Sequence, residues 1–147
     1  MRFKVILIAF SLFPLFLLLP GCASRTVSVG AASVPTTLHV VRTNNNPYAK
    51  QAAPFDRTVS NASTVQQLYR AAYALPSATG TYHCVKDIGL VYHLNFLQGT
   101  ALIKQMDLQA TGCSFLHISK TDVRLINSSF VSLFTRTIGI PSLVPWP

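Results

Sequence analysis

The clearest alternation of apolar and polar positions lies in the middle of the chain, between residues 90 and 97. One set of side chains there is apolar throughout and the other is mixed: Leu90, Tyr92, Leu94 and Phe96 alternate with Val91, His93, Asn95 and Leu97. A period of two places successive side chains on opposite faces of a strand. Gln98-Gly99 follows, and a glycine between two such runs is typical of a β-hairpin. We therefore predict that this strand turns at Gly99 into a second one.

The register of the hairpin depends on the length of its loop. A two-residue loop would place Phe96 opposite Ala101. A three-residue loop, with Gly99 in the left-handed region, would place Leu94 opposite Leu102 and gather more apolar side chains on one face. Because a buried face specifies register, we expect the three-residue loop.

Two other segments carry apolar residues at helical spacing and end at a proline. STVQQLYRAAYALP spans residues 63–76, and SSFVSLFTRTIGIP spans residues 128–141. Ser63 and Gln66 fit a capping box, so we expect the first helix to begin there. Asn127 or Ser128 is the expected cap of the second helix, which should end at Gly139. The two segments align without gaps and predict two similar strand-to-helix units.

Shorter runs rich in β-branched and aromatic residues predict the remaining strands. These runs cover residues 37–42, 55–60, 113–118 and 122–126, and Tyr82-His83 is also strand-like. Turn residues without periodicity predict a long exposed loop over residues 43–54. Together the patterns predict an α+β fold, in which two amphipathic helices pack on an antiparallel sheet of about four to six strands as a second layer.

The N-terminus has the pattern of a bacterial export signal. Arg2 and Lys4 precede an uncharged run over residues 5–19, which is shorter than a membrane-spanning helix. Leu19-Pro20-Gly21-Cys22 resembles the lipobox, in which the signal is cut before the cysteine and the thiol receives diacylglycerol. Pro20 departs from that pattern, where Ala, Ser, Thr or Val is more usual. We expect residues 1–21 to be a signal peptide and Cys22 to be lipidated; the alternative is secretion without lipid.

This processing defines the expected organisation of the mature chain. Cleavage before Cys22 removes 21 of the 147 residues and leaves enough chain for one domain. Residues 22–35 would be the lipidated cysteine and a flexible tether, and residues 36–147 a single domain. Because two acyl chains give stable anchoring, the expected location is the outer face of the cell membrane, with the lipid bilayer as a partner.

The cysteine count changes once Cys22 carries lipid, because Cys84 and Cys113 then remain as a pair. Exported proteins fold in an oxidising compartment, so we predict a disulfide between them. Closing a loop of roughly 30 residues should stabilise the domain by about 3 kcal/mol in the chain-entropy model. The alternative is a zinc site formed by Cys84, His93, Cys113 and His117, although the chain has no tight Cys-x-x-Cys pair. No cofactor is expected.

Charge and motifs narrow the classes of function. Loss of Arg2 and Lys4 lowers the formal charge from +8 to +6, and the other basic residues are scattered singly. Nucleic-acid binders concentrate their basic residues on one element, so we expect no nucleic-acid partner. The chain has no Gly-x-Ser-x-Gly, no glycine-rich phosphate loop and no Glu, and therefore no catalytic signature.

Two functions remain open. We expect a membrane-anchored module that binds an extracellular or envelope ligand, through residues 44–54 and an exposed sheet face with His93, Asn95 and Gln105. The alternative is a small hydrolase of envelope or extracellular substrates, with His93 or His117 as general base. One groove containing both histidines and an Asp would favour the hydrolase, whereas a flat face without a pocket would favour binding.

Three stretches of the chain resemble small exported proteins and lipoproteins of bacteria. They are TVQQLYRAAYALP, TYHCVKDIGLVYHLNF and DLQATGC, with a Leu-Tyr helix, a Cys-x-x-Asp-x-Gly element, a Tyr-x-Leu-x-Phe strand and a later Gly-Cys. The matching positions, within residues 55–139, are Cys84, Asp87, Gly89, Tyr92, Leu94, Phe96, Gly112 and Cys113. Val85 stands where a proline often follows the first cysteine. No activity is attached to this group, so the resemblance implies export and fold only.

Overall fold

The structure, a computed structural model, describes residues 33–44 and 53–144. In chain order its elements are β1 (Thr37–Asn44), β2 (Phe55–Val59), α1 (Ala62–Ala74), β3 (Leu90–Gln98), β4 (Ala101–Gln109), β5 (Phe115–His117), β6 (Val123–Leu125) and α2 (Ser128–Ile138). The strands form one antiparallel sheet in the order β2-β1-β3-β4-β5-β6. The predicted signal peptide, Cys22, most of the tether and residues 45–52 of the predicted loop lie outside the described residues.

Both helices pack on the same face of the sheet, which we call the covered face. The ring of Tyr69 in α1 lies 5.0 Å from that of Phe96 in β3, and the ring of Phe134 in α2 lies 5.4 Å from that of Tyr92. Even-numbered side chains of the neighbouring strands β1 and β3 are buried there: Leu38, Val40, Leu90, Tyr92, Leu94 and Phe96. The predicted α+β fold is confirmed. Neither helix of the described ranges is long and apolar enough to cross a membrane.

The predicted register of the central hairpin is wrong. Leu94 lies opposite Met106, not Leu102, and the loop between Gln98 and Ala101 holds two residues. The register shifts between Phe96 and Leu97, so that one extra residue of β4 is left without a partner. A bulge reverses the side-chain alternation of the bulged strand, and Leu102 beyond it is consequently exposed. The sequence pattern alone does not reveal such an insertion.

The helix ends follow the predicted residues only in part. The cap of α1 is Asn61, whose side-chain oxygen accepts a hydrogen bond from the Thr64 N–H at 3.0 Å. The predicted capping box is therefore wrong: Ser63 lies inside the helix and its hydroxyl donates to Asn61. Asn127 caps α2 as predicted, and Gly139 ends it in the left-handed conformation.

Strand-like composition over-predicts the strands on both sides of the hairpin. Residues 78–89 form no strand, so the prediction for Tyr82-His83 is wrong. Tyr82 instead packs its ring 5.3 Å from that of Phe115, and its hydroxyl bonds the backbone of Thr79. β5 begins only at Phe115 because Ser114 has a φ of 53°, which breaks the extended chain.

Two arginines join the strand-to-helix units at the helix ends. Arg57 in β2 donates to the Ile138 carbonyl at the end of α2, at 2.6 Å. Arg124 in β6 donates to the Leu75 carbonyl just after α1, at 2.8 Å. The last carbonyls of a helix lack partners within the helix and carry partial negative charge, which a guanidinium satisfies. Each unit thus caps the C-terminal end of the other unit's helix.

Candidate functional site on the open face of the sheet

The second face of the sheet, opposite the helices, is covered by no other element within residues 33–44 and 53–144. We call it the open face. Side chains there are half-buried or exposed, and most are polar: His39, Val41, Thr43, Val91, His93, Asn95, Leu97, Gln105, Asp107, Gln109 and His117. They occupy the alternate positions of the strands whose other side chains build the core. The alternation that predicts β3 therefore also separates a core surface from a polar one.

A hydrogen-bonded row of three side chains crosses this face. His93 lies directly opposite Asp107 in the β3–β4 pair, and its Nδ1 is 2.8 Å from a carboxylate oxygen of Asp107. Its Nε2 is 2.9 Å from the hydroxyl of Thr43 in β1. Because an ionised carboxylate only accepts, Nδ1 is the donor to Asp107, and Nε2 bonds the Thr43 hydroxyl. Both ring nitrogens are held, so the imidazole is fixed in orientation.

An open groove runs beside this row, above β3, β4 and the turn after β5. Its volume is about 480 Å³, and it is lined by Val91, His93, Gln105, Asp107, Gln109, His117, Ile118, Ser119 and Lys120. His117 is the neighbour of Asp107 on β5, so two histidines flank one carboxylate. The groove thus unites His93, His117 and an Asp.

Several polar groups in the groove and beside it have no hydrogen-bond partner among the described residues. Asn95 and Gln105 are directly opposite each other, and neither side-chain amide bonds another protein group there. The same holds for both ring nitrogens of His117 and the second carboxylate oxygen of Asp107. The open face therefore presents donors and acceptors that are satisfied by water in the free protein and are available to a ligand.

One end of the groove is fixed by Asp87, which precedes β3. Its carboxylate accepts hydrogen bonds from the Gly89 N–H at 2.8 Å and the Thr111 hydroxyl at 2.5 Å, and also from the Gln109 amide. Partial burial raises the pKa of Asp87, but the hydrogen bonds from Thr111, Gly89 and Gln109 outweigh it and hold that pKa below its ordinary value. Gln109 is consequently anchored at the rim of the groove.

The cysteines lie near this end of the groove and are not part of it. Cys84 and Cys113 are at disulfide distance, with Cα atoms 4.8 Å apart, as the predicted disulfide requires. The zinc alternative needs both sulfurs beside His93 and His117, yet only the two histidines line the groove. Within the described part of the chain, no group of three or more His, Cys or Asp side chains has an arrangement that could hold a metal.

The predicted face residues lie together, but the sequence did not identify the row across the strands. His93, Asn95 and Gln105 share the open face, as expected from alternation. Thr43 and Asp107 were not candidates, because the expected register moves Asp107 away from His93. The sequence signal that could have located this row is a strand pairing that places a His directly opposite an Asp. Cys22 lies outside the described residues.

A second histidine–carboxylate pair lies on the same face near the sheet edge. His39 Nε2 is 2.8 Å from a carboxylate oxygen of Asp56 in β2, and both side chains are exposed. Neither residue lines the groove. This pair therefore provides an internal reference for the chemistry of the His93–Asp107 pair.

Comparison with known proteins adds no relative: no family model, curated protein or solved structure matches this chain. The likeness to small exported proteins and lipoproteins therefore stays a prediction from the motifs around Cys84 and Cys113.

Proposed function

We propose that this chain is an exported lipoprotein, anchored through diacylglyceryl-Cys22, whose domain binds a ligand of the cell envelope on its open face. The observation that carries the binding function is the groove with its polar side chains. Gln105 and His117 line the groove, and Asn95 lies opposite Gln105 on the same face. All three are exposed or half-buried and have no hydrogen-bond partner among the described residues. Side chains with only a structural role on a sheet usually bond one another or point apolar groups inward, and these do neither.

The expected position of the lipid anchor would leave the open face of the domain accessible to a ligand. The described chain begins at Ser33, and the Thr36 N–H bonds the Leu97 carbonyl beside the hairpin. A tether from Cys22 would therefore reach the domain at the hairpin end of the sheet. The groove lies toward the other half of β4, around Asp107, so an attached membrane would leave it accessible.

A hydrolase is the second candidate. One groove that contains His93, His117 and Asp107 is the arrangement expected of a hydrolase, and the Thr43–His93–Asp107 row also favours it. A hydroxyl, an imidazole and a carboxylate in this order are the parts of an acyl-transfer triad. Two features weigh against it. Thr43 does not line the groove, and the N–H groups of β3 are used in pairing with β1 and β4, which leaves no backbone oxyanion donors beside His93. Binding is therefore the function that the geometry supports better.

Photo-cross-linking on intact cells tests the binding function. A photoreactive amino acid replaces Gln105 in the groove and, as the matched control, Gln67, an exposed glutamine of α1 that does not line this groove. We expect envelope material to be captured from position 105 and not from position 67. Equal capture at both positions, or none at either, contradicts the proposal. A hydrolase would instead cleave p-nitrophenyl acetate and lose that activity in Thr43→Val.

Metabolic labelling tests the anchor separately. A bacterial host that processes lipoproteins is grown with labelled palmitate. We expect the full-length chain to become labelled, Cys22→Ser to remain unlabelled, and the Cys84→Ser, Cys113→Ser double variant to be labelled like the parent. An unlabelled parent chain would show that the lipobox interpretation is wrong.

A further inference from the structure

We infer that the ligand of the groove is an uncharged, polyhydroxylated glycan segment of the envelope. This inference rests on the proposed binding function and adds the chemical class of the ligand. It follows from the charges, the hydrogen-bonding groups and the position of the groove in the sheet.

Charge is the first argument. Asp107 lies at the centre of the groove, between two histidines, and Lys120 lies at its rim. An anionic polymer would have to place negative charge beside the Asp107 carboxylate, while only one lysine attracts it. A cationic ligand would meet the Lys120 ammonium. A ligand without net charge avoids both repulsions.

Hydrogen bonding is the second argument. The Gln105 amide offers two donors and an acceptor, the second carboxylate oxygen of Asp107 accepts, and Lys120 donates. The Asn95 amide, opposite Gln105 and outside the groove lining, adds the same groups beside it. Gln105 and Asp107 stand at alternate positions along β4, and Asn95 stands opposite Gln105 on β3, about 5 Å away. Hydroxyl groups on adjacent carbons of a sugar donate and accept at similarly close spacing. The groove can therefore pair a row of hydroxyls without leaving a buried charge.

The apolar lining is the third argument. Val91, which is half-buried, contributes apolar surface beside the polar groups of the groove, and the carbon atoms of the other lining side chains add to it. Sugar rings have C–H faces that bury favourably against such side chains, while their hydroxyls reach the surrounding polar groups. A purely polar or purely apolar ligand would leave one of these two kinds of lining unmatched.

The position of the groove argues against an extended peptide. Peptides that recognise a sheet add as a strand to an exposed edge, where they pair with unused backbone groups. The groove instead lies over β3 and β4, which are paired on both sides. A ligand there must be recognised by the protein's side chains, as a glycan would be.

The full-length protein, purified in detergent, tests the inference on an array of envelope polysaccharides. The array holds neutral oligosaccharides, such as β-1,4-linked N-acetylglucosamine tetramers and maltotetraose, together with whole lipopolysaccharide and the anionic polymers alginate and teichoic acid. We expect binding to at least one neutral glycan, with little dependence on salt, because screening weakens only charged contacts. Gln105→Leu and Asp107→Asn should each weaken that binding about tenfold, the effect of one hydrogen bond. Gln67→Leu and His39→Gln serve as controls and should leave it unchanged.

Each remaining outcome separates the two proposals. Binding only to the anionic polymers, with strong salt dependence, overturns the glycan inference and keeps the binding function. Capture of a protein from position 105, with no glycan bound, does the same. Absence of both capture and glycan binding overturns both. Thermal unfolding of every variant verifies that a lost interaction is not a lost fold.

Discussion

The two faces of the sheet differ in burial and in polarity. On the covered face, Tyr92 is 0% exposed, and its hydroxyl donates to the Leu143 carbonyl at 2.7 Å. The next residue, His93, faces the opposite side, where 30% of its side chain is exposed. One face removes apolar surface from water and supplies stability, whereas the other keeps polar groups in water. The comparison teaches that the stability of this domain and its proposed binding function reside on different sides of the same strands, so they should be separable by mutation.

The largest effect is expected from the core of the covered face. Phe134 is fully buried, and its ring contacts those of Tyr92 and Phe130. Phe134→Ala removes these contacts and leaves a cavity, so the free energy of unfolding should fall by about 3–5 kcal/mol. Urea denaturation measures the change. A loss below about 1 kcal/mol would mean that the helices contribute little to the core and that the two faces do not differ in this way.

The next largest effect on stability is expected from the cysteine pair at disulfide distance, Cys84 and Cys113. The Cys84–Cys113 pair joins residues 29 positions apart. Replacing both cysteines with Ser should lower the free energy of unfolding by about 2–5 kcal/mol, because the unfolded chain loses a constraint. Thiol counting on the denatured, unreduced protein provides the accompanying check on the pair. Two free thiols, together with a metal that a chelator removes, would support the zinc alternative instead.

A smaller effect on stability depends on pH and concerns Asp87, which precedes β3. The pKa of Asp87 is held below its ordinary value, so its ionised form stabilises the folded state. That contribution is complete above the unfolded pKa, near pH 4, and is lost as the pH falls through the lower folded value. Denaturation curves between neutral and acidic pH should therefore show a steeper loss of stability in the parent chain than in Asp87→Asn.

Thr111→Val tests the cause of the low pKa of Asp87 more directly than Asp87→Asn does. It removes the hydroxyl that donates to Asp87 and leaves the carboxylate in place. We expect the pKa of Asp87, followed by NMR, to move up toward its ordinary value and the acid loss of stability to become shallower. An unchanged pKa would mean that Thr111 is not the main donor.

The covered face was more predictable from sequence than the open one, for a physical reason. Helices and strands follow from local periodicity, since burial selects apolar residues at a fixed spacing. The burial of Leu68 and Phe134 can be predicted in this way, because both lie at apolar positions with helical spacing. The row on the open face depends instead on which strands are neighbours and in what register. The bulge in β4 shifts that register, so nothing local in the sequence brings Asp107 opposite His93.

The same reasoning explains the errors at the helix and strand ends. Ser63 and Gln66 match a capping box, but Asn61 two residues earlier is an equally good cap and takes that role. Tyr82 has strand propensity, yet its hydroxyl bonds Thr79 and holds the segment outside the sheet. Local preferences of a few tenths of a kcal/mol give way to tertiary contacts.

The smallest effect on stability is expected on the open face, at Gln105. Its side chain is exposed and makes no hydrogen bond within the described residues, so Gln105→Leu should change the free energy of unfolding by no more than about 0.5 kcal/mol. The same substitution should weaken ligand binding, because an amide that pairs with the ligand is lost. Gln67→Leu, at an exposed position on α1, controls for the added apolar surface and should change neither property. A fall in stability of about 2 kcal/mol at position 105 would show that this side chain is packed in the folded chain, since only buried or partnered groups cost that much to replace. The open face would then belong to the interior, and the separation of stability from binding would fail.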